Sequence, residues 1–184
     1  QSGEPAISGV EVVLSGTDAY GNEVLLTTTT DANGAYKFTD LAPADASGYT
    51  LTQKQPTEYV NGSVAPPVTG ADAPSHGGSY AAVTPATTAD SIYTGIPLGA
   101  GESAVRYNFP EVRRPSLAGV VYVDVDFSNT YESGTDTPIS GATVELLNAA
   151  DGTLVAIATT NASGAYGFTG LDPEISYTLR EVLP

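Results

Sequence analysis

The sequence predicts an all-β protein built from two tandem antiparallel β-sandwich modules. Two observations support this prediction: short segments of alternating apolar and polar residues recur along the chain, and the two ends of the chain repeat each other. Turn-forming residues stand between these segments, and no stretch has a helical period. Many short strands separated by turns are typical of an antiparallel sandwich.

Three matches in the same order define the repeat. Residues 5–16 (PAISGVEVVLSG) resemble residues 137–148 (TPISGATVELLN), and residues 29–41 (TTDANGAYKFTDL) resemble residues 159–171 (TTNASGAYGFTGL). The tripeptide YTL then follows in both copies. The chain therefore carries parts of two copies of one module.

Each matched segment is predicted to be a strand with one buried face. Tyr36 and Phe38, and in the second copy Tyr166 and Phe168, point the same way, with small or polar residues between them. We expect Phe38 and Phe168 to be buried in the cores of their modules. The tyrosines are expected in the core, with the hydroxyl at its rim.

A short linker bounded by Pro110 and Pro115 divides the chain. We expect a first module over residues 1–112 and a second module over residues 113–184. Residues 55–90 are rich in Pro, Gly, Ala, Ser and Thr, and they are predicted to form a long surface loop of the first module, with one short strand near residues 80–83.

Each predicted module lacks strands that the other one has. The first has no counterpart of the opening strand predicted over residues 117–126, and the second has no counterpart of the closing strands predicted over residues 90–109. Two explanations stay open. The chain is a fragment of a longer array, or it is a whole subunit whose open edges are filled head-to-tail by neighbouring copies.

The composition excludes several functional classes. The 184 residues carry a net charge of −15 with only six basic residues, which argues against nucleic-acid binding and against docking on anionic membranes. No apolar run has the length needed for membrane insertion. There is no cysteine, and so there is neither a disulfide nor thiol chemistry.

Residues 124–136 concentrate negative charge. Between Arg114 and Arg180 the sequence contains no Lys or Arg. Like charges held close raise one another's pKa, and a bound hard cation relieves their repulsion. The carboxylates in this segment belong to Asp124, Asp126, Glu132 and Asp136.

The spacing in this segment resembles that of a calcium loop, which takes ligands from positions 1, 3, 5, 7, 9 and 12. At the sixth position Asn129 replaces the usual glycine, and asparagine tolerates the left-handed conformation. The last acid comes one residue late. The sequence predicts a Ca²⁺ site, and a solvated acidic loop without an ion is the alternative. The candidate ligands are Asp124, Asp126, Ser128, the backbone of Thr130, Glu132 and Asp136.

A second calcium site is expected in part at the start of the chain. Aligning Ile7 with Ile139 places Glu4 opposite Asp136. Glu4 is therefore a candidate last ligand of a first-module site whose other ligands would lie outside this sequence.

Few other residues suggest chemistry. His76 is the only histidine and lies in a loop rich in Gly, Ser and Pro, where a solvent-exposed side chain is expected. Because there is no cysteine and one histidine, the common nucleophile pairs lack support, and we expect no enzymatic activity. Asn61 and Asn161 each begin a short N-glycosylation motif, and the sequence leaves their modification open.

The motifs resemble a known family. GVVYVDVD at residues 119–126, TPISGATV at residues 137–144 and TTNASGAYGFTGL at residues 159–171 are similar to the B-type repeats of serine-aspartate repeat surface adhesins. The TxxxGxYxFxxL core is shared with collagen-adhesin B-type and other transthyretin-like modules. The resemblance implies an immunoglobulin- or transthyretin-like sandwich that is secreted, lies at the cell surface and binds calcium. Residues 117–126 contain no lysine, and we therefore expect no Lys–Asn cross-link of the collagen-adhesin kind.

Two functions follow as expectations. The first is an extracellular structural module of a calcium-stabilised adhesin stalk or filament, whose partners are neighbouring repeats or copies of itself. The alternative is an adhesive module that binds a host or surface carbohydrate or protein through residues 55–90, where Tyr59 and Tyr80 are the only aromatic residues.

Overall fold

A computed structural model of the chain describes residues 5–62, 71, 73–81 and 88–182. These residues form β-strands and no helix, and they offer no helix long and apolar enough to cross a membrane. Every strand pair is antiparallel, as the sequence predicted. The chain divides into two compact units, Gln1–Arg113 and Arg114–Pro184.

The first unit contains a five-stranded sheet in the order β2-β1-β3-β6-β5 and a two-stranded ribbon of β4 and β7. Its core lies on one face of the larger sheet. The strands are β1 (Glu11–Thr17), β2 (Glu23–Thr29), β3 (Tyr49–Gln53), β4 (Tyr59–Asn61), β5 (Ser79–Ala81), β6 (Ser91–Ile96) and β7 (Glu111–Arg113). The buried core residues are Val12, Leu14, Tyr49, Leu51, Tyr93, Ile96 and Tyr107.

The second unit contains a three-stranded sheet in the order β12-β11-β14 and two ribbons, β13–β8 and β10–β9. Its core is smaller and consists of Val144, Leu146, Phe168 and Leu171. The strands are β8 (Leu117–Val120), β9 (Tyr122–Val123), β10 (Thr137–Pro138), β11 (Thr143–Asn148), β12 (Leu154–Thr159), β13 (Ala165–Phe168) and β14 (Tyr177–Val182).

The same side-chain bonds recur in both copies of the repeat. The Thr30 hydroxyl donates to the carbonyl of Ile7 at 2.7 Å and accepts from the N–H of Val10 at 2.9 Å. Thr160 makes the equivalent two bonds at the same distances. Each threonine therefore ties the segment that leads into β1 or β11 to the end of the strand that pairs with it, β2 or β12, and the Thr-Thr motif recurs for this reason.

Two segments differ from the predicted organisation. Residues 111–113, predicted within a linker, form β7 and pair with β4, so they belong to the first unit. Residues 55–90 were predicted to form a long loop with one short strand near residues 80–83, and β5 lies close to that position. Composition alone did not reveal β4, because it has only three residues.

Both copies of the repeat contain the Tyr-x-Phe pattern, but only the second copy forms a strand there. Tyr166 and Phe168 lie on β13, which pairs with β8. The matching residues 35–39 form no strand, and no described segment of the first unit pairs with them. Tyr36 and Phe38 still pack against the core, but both are half-buried. The prediction that Phe38 is fully buried was therefore wrong. Side-chain alternation along a segment does not reveal whether a partner strand is present to pair with it.

The predicted strands at residues 104–109 and 117–126 are also interrupted. Arg106 has a φ of 68°, which breaks the extended conformation, although Tyr107 is still buried. Val121 separates β8 from β9: its N–H donates to the carbonyl of Gly164, and its own carbonyl accepts from Ile139. The chain changes pairing partner at this residue.

The unequal burial of three phenylalanines gives a test of this packing. Phe168 is 6% exposed and Phe127 is 87% exposed. We expect Phe168→Ala to lower the free energy of unfolding of the second unit by roughly 3–5 kcal/mol. Phe38→Ala should cost the first unit less, because its ring is only half-buried. Urea denaturation measures both changes.

Phe127→Ala is the matched control for this measurement and should change stability by less than about 0.5 kcal/mol. A cost at Phe127 equal to that at Phe168 would contradict the burial described above.

Candidate metal centre

The paired strands β9 and β10 bring the two ends of the acidic loop together. Val123 lies opposite Thr137, and Tyr122 lies opposite Pro138. Residues 124–136 therefore leave one strand and return to its neighbour. The strand ends before Asp124, so Asp126 lies in the loop and not on a strand face as the alternation suggested.

Three carboxylates converge in this loop. One oxygen atom from each of Asp124, Asp126 and Asp136 lies within 4.8 Å of the other two. Asp136 is 6% exposed, Asp124 is half-buried and Asp126 is exposed. A group of carboxylate oxygens this close together could hold a metal ion.

The backbone of the loop turns around the first two aspartates. The N–H of Ser128 donates to Oδ1 of Asp124 and to Oδ1 of Asp126, both at 3.1 Å, and the N–H of Asn129 donates to Oδ2 of Asp124 at 2.9 Å. Phe127 and Asn129 have φ values of 58° and 60°. The left-handed conformation at Asn129 is the one that its place in the motif suggested.

The remaining candidate ligands form the second half of the loop. Ser128 Oγ lies 3.0 Å from Oε2 of Glu132 and 3.1 Å from the carbonyl oxygen of Thr130. The N–H of Glu132 donates to Oδ2 of Asp136 at 2.9 Å, and the N–H of Val125 donates to Oδ1 of the same carboxylate at 3.1 Å. Hydrogen bonds within the loop thus link all six predicted ligand residues to one another. The seventh candidate, Glu4, lies outside the described residues.

The surroundings of Asp136 and Glu132 shift the pKa values of these two acids in opposite directions. The N–H of Glu132, followed by that of Val125, lowers the pKa of Asp136 despite its burial. The hydroxyl of Ser128 lowers the pKa of Glu132, but desolvation and the charges of Asp126 and Asp136 outweigh it, and the net pKa is raised. A raised pKa means that the folded loop resists the last negative charge.

Among the described residues, no cationic side chain forms an ion pair with these acids. In the described part of the chain, the ion pairs involve Lys54, His76, Arg113 and Arg180, and none of them reaches the loop. The field of the loop also acts on the adjacent Tyr122, whose pKa is raised by desolvation and then by the four acids. The four acids thus form one local concentration of negative charge.

One feature of the site had no sequence signal. Phe127 adopts a positive φ, which is rare for a bulky residue. Its ring is almost fully exposed, and Val125 beside it is 55% exposed. The next two residues, Ser128 and Asn129, donate their N–H groups to Asp124 and Asp126, and such bonds are not visible in residue spacing.

The single histidine was predicted to be exposed, but it is half-buried and lies near a serine and an acid. Nδ1 of His76 lies 2.7 Å from Ser75 Oγ, and Nε2 lies 3.4 Å from Glu102 Oε2. Ser75 Oγ accepts the N–H of Val105 at 2.9 Å, and Glu102 accepts the N–H of Gly99 at 2.7 Å. These groups hold two loop segments together, which is a structural role.

The described part of residues 55–90 contains side chains that bond to the rest of the first unit. The Tyr80 hydroxyl donates to Ser91 Oγ at 3.0 Å, and its ring packs 4.9 Å from that of Tyr93. Asn61 is 1% exposed, and its side chain donates to the carbonyl of Ala89. Residues 63–70, 72 and 82–87 of this predicted binding loop lie outside the described residues.

The fold and the site together define a class. Two antiparallel β-units that repeat one sequence motif, one of them with an oxygen-rich acidic loop, are those of a tandem β-sandwich repeat protein. The sequence profile of the SdrD B-like domain matches residues 1–96 and matches again over residues 115–184. The chain belongs to this family, as its motifs suggested, and family membership places it outside the cell at the cell surface.

Individual relatives agree with this assignment. Over 169 residues the chain is 34% identical to serine-aspartate repeat-containing protein D of Staphylococcus aureus (strain Newman), covering 92% of this chain and 11% of the relative. Serine-aspartate repeat-containing protein E of strain MSSA476 is 32% identical, with coverage of 92% and 13%. The chain thus spans about a tenth of the length of these curated relatives. No solved structure matches it.

Proposed function

We propose that the chain is a calcium-stabilised structural module of a surface-adhesin stalk. Family membership supports the structural role at the cell surface. The convergence of Asp124, Asp126 and Asp136 within 4.8 Å is the observation that supports the metal.

Calcium fits the donor set better than other common ions. The loop offers carboxylate, hydroxyl and carbonyl oxygens and no nitrogen or sulfur ligand, which favours a hard cation. Up to six protein groups are available, and calcium accepts six to eight oxygen ligands in flexible geometry. Magnesium prefers near-ideal octahedral geometry and retains several waters, so an all-protein loop of this kind suits it less.

The ion would act by connecting groups that now repel one another. Asp124 follows β9 directly, and Asp136 directly precedes β10. A cation between these residues would tie the ends of both strands together, and it would order the loop between them. Because a stalk must keep its length under load, a metal that stiffens an exposed loop suits this role.

Calcium should therefore raise the melting temperature of the second unit. Binding to the folded state alone stabilises it by about 2.7 kcal/mol when free calcium is a hundredfold above its dissociation constant. Asp124→Ala or Asp126→Ala should abolish most of this increase. Calorimetry in calcium and in EDTA measures the effect.

Asp151→Asn is the matched control for these variants. This aspartate lies in a turn of the same unit, where it accepts bonds from Thr153 and is remote in sequence from the acidic loop. Its variant should keep the full calcium response even if its absolute melting temperature changes. Identical melting curves in calcium and in EDTA for the unaltered chain would falsify the metal site.

The stability of the second unit should depend on pH in opposite directions with and without calcium. Folding raises the pKa of Glu132, so the metal-free fold favours the protonated form. In EDTA, the second unit should become more stable as pH falls from 7 towards the ordinary value of 4.5 for this group. In calcium, the stabilisation by the ion should shrink over the same range, since ligands must be ionised.

Glu132→Gln should remove part of the gain seen in EDTA, whereas Glu174→Gln, an exposed acid of the same unit, should leave it unchanged. Thermal melts at several pH values compare the two variants. Equal effects of both would argue that general charge repulsion, and not this loop, causes the pH dependence.

We propose further that modules join head-to-tail by adding strands to open sheet edges. Residues 35–39 of the first unit and the outer edge of β14 have no strand partner among the described residues. Unpaired edges of this kind accept strands from other chains. Electron microscopy of the purified chain should reveal linear assemblies in calcium, and a monomer in both calcium and EDTA would exclude self-assembly.

A further inference from the structure

The first unit contains a group of polar side chains in its interior, where the β4–β7 ribbon meets the five-stranded sheet. On the sheet, Gln53 of β3 lies opposite Ser91 of β6, and on the ribbon Asn61 of β4 lies opposite Glu111 of β7. The Ser91 hydroxyl donates to Oδ1 of Asn61 at 2.7 Å, and both of these residues are buried. Two polar cross-strand pairs, one from each layer, therefore face each other inside the unit.

This polar cluster holds more acceptors than donors. Gln55, which follows β3, donates its side-chain amide to Oε2 of Glu111 at 2.5 Å. The other carboxylate oxygen, Oε1 of Glu111, is inaccessible to solvent and makes no hydrogen bond within the described residues. The same holds for Oε1 of Gln53, a residue that is only 2% exposed, and for Oε1 of Gln55. Buried acceptors without a donor destabilise a fold.

Glu111 also lacks a balancing charge. In the part of the chain that the structure describes, no cationic side chain forms an ion pair with it. The nearby Lys54 pairs with Asp90 at 2.7 Å, and Arg113 of the same strand pairs with Glu58 at 3.5 Å. Asp90 accepts the N–H of the residue that follows Lys54, so a second acid lies beside the cluster.

A proton is the simplest way to satisfy this cluster. Desolvation raises the pKa of Glu111, and the hydrogen bonds from Gln55 and then Gln53 offset this only in part. Tyr80 of β5 donates its hydroxyl to Ser91, and its own pKa is raised by desolvation and then by the charge of Glu111. Protonation would remove that charge and would turn one unpaired acceptor into a donor for a neighbouring amide oxygen.

We propose that protonation of Glu111 controls whether the β4–β7 ribbon stays packed against the sheet. The ribbon is closed while the buried carboxyl carries its proton, and loss of the proton opens it. Because β7 directly precedes Arg114, where the second unit begins, opening would lengthen the segment that separates the two units. The inference concerns the first unit and does not depend on the calcium site of the second.

The direction of the pH effect follows from the direction of the shift. In the unfolded chain Glu111 ionises near its ordinary pKa of 4.5. Below this value the closed and open forms both hold the proton, and the ribbon keeps its full stability. As pH rises from there to the raised pKa, opening becomes up to about tenfold more favourable per pH unit, and above that pKa the loss is complete.

Hydrogen exchange on the full chain measures this opening. After correction for the intrinsic exchange rate, protection of the amides in β4 and β7 should fall by up to about tenfold per pH unit as pH rises from 4.5 to the raised pKa. Protection in β1 and β2 of the same unit should change less, because these strands do not contain the cluster.

Glu111→Gln should abolish the pH dependence and keep the ribbon protected at high pH, since an amide carries no charge and can donate a hydrogen bond. Glu58→Gln is the matched control, because Glu58 is an exposed acid close to β4. A ¹³C NMR titration of the Glu111 carboxyl carbon in the unaltered chain should show a pKa above 4.5. This measurement does not depend on the folding of a variant.

Three results would overturn the inference: titration of Glu111 at or below 4.5, ribbon protection that does not change with pH, or equal effects of Glu111→Gln and Glu58→Gln. Protection restored at high pH by sodium chloride, but not by choline chloride, would also overturn it, because a bound cation would then replace the proton. The calcium response of the second unit is measured separately, so either proposal can fail without the other.

Discussion

Each unit depends on the pairing of two antiparallel strands, β1 with β3 in the first and β11 with β14 in the second. This pair places Leu14 opposite Leu51, and Leu146 opposite Leu179, on the face that carries the core. A one-residue shift would turn every one of these side chains away from the core. The threonine hydrogen bonds and the aromatic pairs that recur in both units are compatible only with this register.

The acidic loop depends on a similar pairing, since β9 and β10 hold its ends together. Folding alone brings Asp124, Asp126 and Asp136 within 4.8 Å, at the cost of mutual repulsion. The backbone offsets part of this cost by donating N–H groups to Asp124 and Asp136, but it cannot neutralise the charge. Folding and cation binding are therefore expected to be coupled in this unit.

The two copies show how one sequence pattern acquires different properties from its surroundings. Leu51 and Leu179 belong to the same YTL motif, yet the first is buried and the second is partly exposed, because β6 covers only the first. Phe38 and Phe168 likewise occupy the same place in the repeat, but only Phe168 lies on a paired strand and is fully buried. A module of this kind is thus completed by elements that are distant in sequence from its repeated motif.

The sequence by itself determined the all-β class, the two-copy organisation and the loop at residues 124–136, because alternation, internal repetition and acid spacing are local properties. It also indicated the left-handed conformation of Asn129. Only the tertiary structure decided that residues 111–113 form a strand with β4, and that Phe127 has a positive φ in the acidic loop. These features depend on hydrogen bonds between backbone groups of different segments. The residue pattern along one segment does not show which other segment it will contact.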